Sequence, residues 1–164
     1  MSISSSIKEE ISLKKFKEKV INDFRTVSLS RETSVQGRRE VLLGKGKFGI
    51  FGDGKELPQV VMSHFFKDGD YRSGYYRDQT LLMSQNLLSA REIFSAVYGH
   101  PDKVYEKMSG GRQMAGHFLT NTVDENNNWI DQTKQKNHIS DISPTASQMS
   151  RLVGLGLASK IYRN

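Results

Sequence analysis

The stretch HISDISPTASQMSRLVGLGLASKIYR, residues 138–163, decides the fold of this 164-residue chain. It begins with polar residues and continues as an apolar segment, which is the pattern of a loop that turns into a packed helix. A serine followed by a proline is a common helix start. The serine accepts hydrogen bonds from free amides, and the first turn does not need the N–H that proline lacks. We therefore predict Ser143 as the N-cap and Pro144 as the first helical residue.

The same helix carries small residues between its apolar ones, Gly154, Gly156 and Ala158 among them. Glycine destabilises a helix interior, so these small residues predict the close approach of another backbone. The amides at a capped helix start point outward, and the helix dipole is positive there. The Ser143 turn therefore suits an anion, and the alternative is an ordinary buried helix with a good cap.

The composition limits the classes of protein that the chain can represent. Hydrophobic residues make up 36% of it, without a run long enough to cross a membrane or the pattern of a signal peptide. The chain has no cysteine, which excludes disulfides, thiolate metal sites and a cysteine nucleophile and is consistent with a cytoplasmic location. The net charge of +6 favours a partner that carries phosphate, from a nucleic acid to a small cofactor.

The N-terminal region predicts a disordered tail at residues 1–6, which are rich in serine, followed by a helix. Apolar residues recur at helical spacing and predict an amphipathic helix, with Ile11, Phe16, Val20, Phe24 and Val27 on its apolar face. The lysines between them alternate with acidic residues and predict a solvated face. The polar segment Ser28–Arg39 predicts a connection to a short second helix or extended segment.

Two glycine motifs precede the second half of the chain. LLGKGKFGIF, residues 42–51, is similar to the glycine-rich loop of protein kinases, in which backbone amides lie over phosphates. The other kinase motifs do not follow it, so a glycine-rich turn is the alternative, and a kinase-like nucleotide binder stays a minor hypothesis. Gly52-Asp53-Gly54 predicts a turn before a helix at Glu56–Phe66.

Candidate binding residues lie in the middle of the chain. Arg77 follows two tyrosines, and a guanidinium beside a tyrosine hydroxyl can hold a phosphate; the alternative is a surface arginine paired with Asp78. The spacing around Tyr75 and Tyr76 predicts a strand or turn before a helix, and a further helix is predicted at Ala90–Tyr98. The glycine-rich loop SGGRQMAGHFLT, residues 109–120, contains His117, a residue type that is more often structural than catalytic when it stands alone.

Three blocks of the chain, taken in order, resemble one family. They are YYRDQTLLM (residues 75–83), SGGRQMAGHF (109–118) and HISDISPTASQMSRLVGLGLASK (138–160). They resemble the alpha subunit of the thiamine-diphosphate-dependent decarboxylating component of 2-oxoacid dehydrogenases, nearest the branched-chain 2-oxoisovalerate group. The resemblance runs from about Leu13 to the end. It implies an α/β fold with an incomplete, mostly parallel sheet flanked by helices, so that residues 7–164 form the N-terminal part of a thiamine-diphosphate-binding domain.

The resemblance also assigns expected roles to single residues. Tyr76 and Arg77 match a pair that contacts the cofactor diphosphate, Ser143 lies beside that diphosphate, and the backbone of Thr145 faces the aminopyrimidine. His117 matches a histidine near the active site, without an assigned chemical step. Four further residues match the positions that hold potassium in some members, through carbonyl oxygens of the first two and side-chain oxygens of the last two: Ile142, Pro144, Ser147 and Gln148. Leu57 and Val61 depart from the family pattern.

The activity implied by the resemblance is the decarboxylation of a 2-oxoacid on thiamine diphosphate, with transfer of the acyl group to lipoamide. The magnesium ligands are expected beyond residue 164, so the chain alone is expected to be inactive and to be part of a longer or fused polypeptide. The implied partners are a beta subunit or beta domain and a lipoyl-bearing transacylase, in a homo-oligomer or heterotetramer, with neither nucleic acid nor membrane. A small basic nucleic-acid-binding protein stays the alternative from charge and composition.

Overall fold

A computed structural model describes residues 12–162 of the chain, so the tail predicted at residues 1–6 and the first residues of the predicted N-terminal helix lie outside the described residues. Within the described range the protein is a mixed α/β structure of five α-helices and two strands. In chain order these are α1 (Leu13–Leu42), α2 (Glu56–Phe65), β1 (Tyr71–Ser73), α3 (Gln79–Ser84), α4 (Ala90–Val97), β2 (Asn137–Ile139) and α5 (Ser147–Tyr162). No helix in residues 12–162 is both long enough and apolar enough to span a membrane.

The two strands form a short parallel sheet. Tyr71 pairs with Asn137 and Ser73 pairs with Ile139, and the segment between the strands contains α3 and α4. The predicted α/β class with a parallel sheet and flanking helices is confirmed in this form. The prediction that His138 lies in a loop is wrong, because its backbone belongs to β2, where its carbonyl oxygen also accepts from the Thr120 amide at 2.9 Å.

Helix α1 is one continuous helix of 30 residues, and the break predicted within Ser28–Arg39 is wrong. The small polar residues Ser30, Thr33 and Ser34 of this segment are buried, because their short side chains let other groups approach the helix. The Gln79 amide Nε2 donates to the Ser30 carbonyl at 3.1 Å and to the Ser34 hydroxyl at 2.9 Å. A Cβ on Gly37 would collide with the ring of Phe51. Polar composition here therefore indicates close packing.

The apolar face predicted for the first half of α1 is exposed in the described chain. Phe24 is 69% exposed, and Leu13, Phe16, Val20 and Ile21 are also exposed. The amphipathic helix is therefore present, but its apolar face is not the one that packs against the rest of the molecule.

The core lies between α1 and the three short helices that follow it. Phe51, Met83, Ile93, Val97 and Ala115 form one buried cluster. Two of these helices closely match the sequence prediction. Helix α2 ends one residue before the predicted Phe66, and α4 ends one residue before the predicted Tyr98. A capping box fixes the start of α4, with the Glu92 amide donating to the Ser89 hydroxyl and the Glu92 carboxylate accepting from the Ser89 amide.

Helix α5 departs from the prediction at its start. It begins at Ser147, so Ser143 is not its N-cap and Pro144 is not its first residue. Ala146 adopts a φ of 68°, a left-handed conformation that cannot belong to an α-helix, so the helix starts after it. The predicted close packing is also absent among the described residues, since a Cβ on Gly154 or Gly156 would meet no atom within 4 Å.

Candidate anion-binding site

Three loops meet beside the parallel sheet: the turn after β1, the glycine-rich loop before β2, and the loop between β2 and α5. They bring together Tyr76, His117 and Ser143, three residues that lie far apart in sequence. All three line one cavity of about 110 Å³, whose remaining walls are mostly apolar: Phe48, Ile50, Met114 and Ala115. Three of the residues predicted at this site therefore line one cleft, whereas Arg77 and Thr145 are not among its lining residues.

His117 and Ser143 are joined directly. The Nε2 atom of His117 lies 3.0 Å from the Ser143 hydroxyl oxygen, and its Nδ1 atom lies 3.0 Å from the Met114 carbonyl oxygen. A carbonyl only accepts, so Nδ1 carries the proton and, in the neutral ring, Nε2 accepts from the Ser143 hydroxyl. Ser143 thus takes part in a contact between loops instead of capping α5.

The two tyrosines link the turn after β1 to the loop that precedes α5. The hydroxyl oxygens of Tyr75 and Tyr76 lie 2.5 Å apart, and the Tyr75 hydroxyl lies 3.4 Å from Thr145 Oγ1. The contacts with Thr145 and Tyr76 lower the pKa of Tyr75, and the contact with Tyr75 raises the pKa of Tyr76. Sequence reasoning placed Tyr76 at the site but missed the role of Tyr75, although the repeated tyrosine was the available signal.

Arg77 lies in the same turn and retains unused hydrogen-bonding capacity. Its Nε atom is buried without a hydrogen-bond partner in the part of the chain that the structure describes. The alternative of an ion pair with Asp78 is wrong, because the Asp78 carboxylate accepts from Arg72 at 2.8 Å. The Gln59 amide Nε2 fixes the Arg77 carbonyl at 3.0 Å. A held arginine with a buried, unpaired donor is suited to an anion.

A carboxylate that sequence reasoning missed shapes the glycine-rich loop. The side chain of Glu106 accepts from the backbone amides of Met108 at 3.1 Å, Ser109 at 2.7 Å and Gly111 at 2.9 Å. These amides satisfy the buried charge and hold the chain in a tight curve ahead of His117. An acidic residue shortly before a Ser-Gly-Gly sequence was the signal in the sequence.

A second missed group, here named the Arg72 cluster, consists of Arg72, Asp78 and Asp141. The Arg72 guanidinium is 3% exposed and donates through Nη2 to Asp78 at 2.8 Å and to Asp141 at 2.9 Å. Burial raises the pKa of Asp141 to about 7, against the opposing effect of Arg72. Burial and the nearby Arg72 charge lower the pKa of His138 to about 3, so this histidine is neutral and donates from Nε2 to the side-chain amide oxygen of Gln85 at 2.8 Å.

The four residues predicted to hold potassium lie where the loop after β2 enters α5, with Ile142 and Pro144 in the loop and Ser147 and Gln148 in the first turn of the helix. The Gln148 side-chain amide donates to the Ile142 carbonyl at 3.1 Å, and the Ser147 amide donates to the Pro144 carbonyl at 3.3 Å. The two carbonyls thus lie within reach of the residues expected to share a cation with them. Their use as ligands stays a prediction.

The glycine motif of residues 42–51 forms the turn after α1. The amides of Lys45 and Gly46 donate to the Glu40 carbonyl at 3.0 Å, and a Cβ on Gly46 would collide with Val97. The motif is therefore packed against α1 and α4, as expected for the turn interpretation. It contributes Phe48 and Ile50 to the cavity wall.

The fold and the cleft define a mixed α/β chain with a loop-built site suited to an anionic ligand. The chain is 27% identical, over 150 residues, to the 2-oxoisovalerate dehydrogenase subunit alpha of Bacillus subtilis (strain 168). The alignment covers 89% of this chain and 39% of that relative, so the chain spans well under half of the relative's length. No family model matches the chain. The similarity to a dehydrogenase alpha subunit supports the resemblance found in the sequence.

Proposed function

We propose that this chain is part of a 2-oxoacid dehydrogenase of the 2-oxoisovalerate or pyruvate type and supplies half of a thiamine-diphosphate site. The observation that carries the proposal is the meeting of Tyr76, His117 and Ser143 in one cleft, next in sequence to Arg77, whose buried Nε donor has no partner among the described residues. The two-stranded parallel sheet would then be the first part of a thiamine-diphosphate-binding fold. The similarity to a 2-oxoisovalerate dehydrogenase alpha subunit supports the same assignment.

The residues present are suited to the cofactor's diphosphate. Arg77 offers a fork of donors and Tyr76 offers a hydroxyl, while Ser143 and Thr145 lie beside them in the loop that precedes α5. Phe48, Ile50 and Met114 form an apolar wall on one side of the cleft. When bound, thiamine diphosphate supplies the carbon nucleophile needed to decarboxylate a 2-oxoacid. His117 stays without an assigned step.

The metal ions and the partner proteins complete the proposed site. Magnesium would be held by residues outside this chain, and potassium by the segment that contains Ile142, Pro144, Ser147 and Gln148, which suits a hard cation. A beta subunit or beta domain would complete the cleft, and a lipoyl-bearing transacylase would accept the acyl group.

The test is the Arg77→Ala variant in the complete enzyme that contains this chain. We expect the concentration of thiamine diphosphate at half-saturation to rise about 10- to 150-fold, because hydrogen bonds to a charged group contribute about 1.5–3 kcal/mol. The readout is release of carbon dioxide from 2-oxoisovalerate and from pyruvate as the cofactor is titrated.

The matched control is Arg25→Ala, which removes the same charge from an exposed position on α1. It should leave the half-saturating concentration within about twofold of wild type, since exposed charges far from a ligand are screened. Equal effects of the two substitutions, or cofactor-independent turnover, would refute the proposed site.

A further inference from the structure

The parallel pairing of β1 with β2 brings the turn after β1 and the loop after β2 to one edge of the sheet, but the pairing ends at Ser73 and Ile139, before the site residues. Each loop contacts the Arg72 cluster through a residue that lies no more than two positions from the site residue on that loop. The Tyr75 amide donates to Asp78 at 3.0 Å in the turn that contains Tyr76 and Arg77. On the opposite side, Asp141 lies two residues before Ser143, and its backbone amide contacts the Phe118 carbonyl at 3.4 Å, next to His117.

We infer that Arg72 is a positioning residue that sets the distance between the Tyr76–Arg77 turn and the Ser143 loop. Its guanidinium is the group that joins the two sides, because Nη2 donates to Asp78 on one and to Asp141 on the other. The same nitrogen donates to the Tyr75 carbonyl at 3.3 Å, and Nη1 lies 3.5 Å from the neutral Nδ1 of His138. Few rotations of the guanidinium satisfy all of these acceptors together.

The burial of the cluster makes this restraint stiff. Arg72 and Asp141 are 3% and 2% exposed, so water cannot replace a lost contact without a rearrangement of the loops. Gly74 provides the space, since a Cβ there would overlap the Arg72 guanidinium. A lysine at position 72 would keep the charge but would lose the planar fork that reaches two carboxylates and a carbonyl.

The first test reads the geometry of the site without any ligand. In the 164-residue chain, the imidazole nitrogen resonances of His117 report whether its Nε2 accepts from Ser143. We expect Arg72→Lys and Asp141→Asn each to shift these resonances toward those of an imidazole exposed to water. Asp141→Asn keeps the backbone contact with Phe118 and the pair between Arg72 and Asp78, so it provides the test if Arg72→Lys does not fold.

The control is Val60→Ala, which removes a side chain that is 1% exposed in α2 and lowers stability outside the cluster. It should leave the His117 resonances at their wild-type positions. Unchanged resonances in both cluster variants would overturn the inference, and so would an equal shift in Val60→Ala.

The second test addresses the ligand and rests on the proposed function. In the complete enzyme, Arg72→Lys and Asp141→Asn should raise the half-saturating thiamine diphosphate concentration about 10- to 100-fold, as the loss of a group that orients a metal ligand does for a metal. The KM for the 2-oxoacid should stay unchanged. If the activity of the wild-type enzyme did not depend on thiamine diphosphate, only the proposed function would be refuted. The positioning role of Arg72 is tested independently by the His117 resonances.

Discussion

Gly116 lies where the glycine-rich loop crosses the turn that contains Tyr76, and its substitution by alanine tests how closely the two must approach. Gly116 has a φ of 93°, and an added Cβ would lie 3.0 Å from the Tyr76 carbonyl oxygen and 3.1 Å from the Tyr76 Cβ. Two costs therefore combine in Gly116→Ala. A left-handed backbone at a non-glycine residue costs about 1–2 kcal/mol, and crowding in a packed site adds about 1–2 kcal/mol.

Gly54→Ala separates the two costs. Gly54 has a similar φ of 87°, but a Cβ there would meet no atom within 4 Å. It carries the backbone strain alone, so we expect it to lower the free energy of unfolding by about 1–2 kcal/mol. Gly116→Ala should lower it by about 2–4 kcal/mol.

The assay is urea unfolding followed by circular dichroism for both variants, together with cofactor titration in the complete enzyme. Because the Tyr76 backbone must move to admit the new methyl group, Gly116→Ala should also raise the half-saturating thiamine diphosphate concentration by about tenfold. Gly54→Ala should not. Equal destabilisation by the two substitutions, together with unchanged cofactor binding in Gly116→Ala, would show that the two loops do not lie against each other at Tyr76.

Three further predictions concern stability, measured by denaturant unfolding. Glu56 is 4% exposed and pairs with Arg31 at 2.6 Å, a hydrogen bond that, outweighing burial, lowers the pKa of Glu56 to about 2. Glu56→Gln should therefore cost about 2 kcal/mol at pH 7, below the full linkage energy because water screens the half-exposed Arg31. The depressed pKa of Glu56 contributes stability above about pH 4.5, and this stability is lost as the pH falls toward 2. The cost of Glu56→Gln should therefore be smaller by roughly 1 kcal/mol at pH 3.5 than at pH 7. A cost that does not change with pH would contradict the ion-pair assignment. Gly154→Ala should stabilise the chain by about 0.5–1 kcal/mol, since its Cβ would point into open space, and destabilisation would instead reveal a backbone packed on α5. Val60→Ala should cost about 1.5–3 kcal/mol through the cavity that it leaves, and a loss below 0.5 kcal/mol would mean that α2 repacks freely.

The helices that periodicity predicted well are those whose apolar residues enter the core. Val60 in α2 and Ile93 and Val97 in α4 are buried, and the bounds of both helices were predicted to within one residue at each end. In α1 the same reasoning identified a helix but selected the wrong buried face. Hydrophobicity predicts burial only where large side chains fill space, whereas the second half of α1 is buried through serine, threonine and glycine.

The candidate site shows the opposite limit. The predicted residues Tyr76, His117 and Ser143 line one cavity. They could be named from the sequence because donors suited to a phosphate are of a few recognisable types and the resemblance supplied their positions. Arg72 and Asp141 could not be found in the same way, since a buried ion pair between residues 69 positions apart reads in sequence as two ordinary surface charges.

This difference has a physical origin that bears on how the site works. The chemistry of a ligand limits which residue types can contact it, and this limit is the same for all proteins that bind the ligand. The residues that set the spacing of the loops depend on the local path of the backbone. Many different ion pairs or apolar contacts could stabilise that path. A Cβ at position 74 would overlap the Arg72 guanidinium, so the restraint requires Arg72 and Gly74 together. This combination of residues is specific to the path of β1 and the turn that follows it. We therefore expect the donors around the cleft to tolerate less change than the cluster behind it. We expect that replacing Arg72, Asp78 and Asp141 together by well-packed apolar residues will leave a higher cofactor affinity than any single substitution within the cluster does.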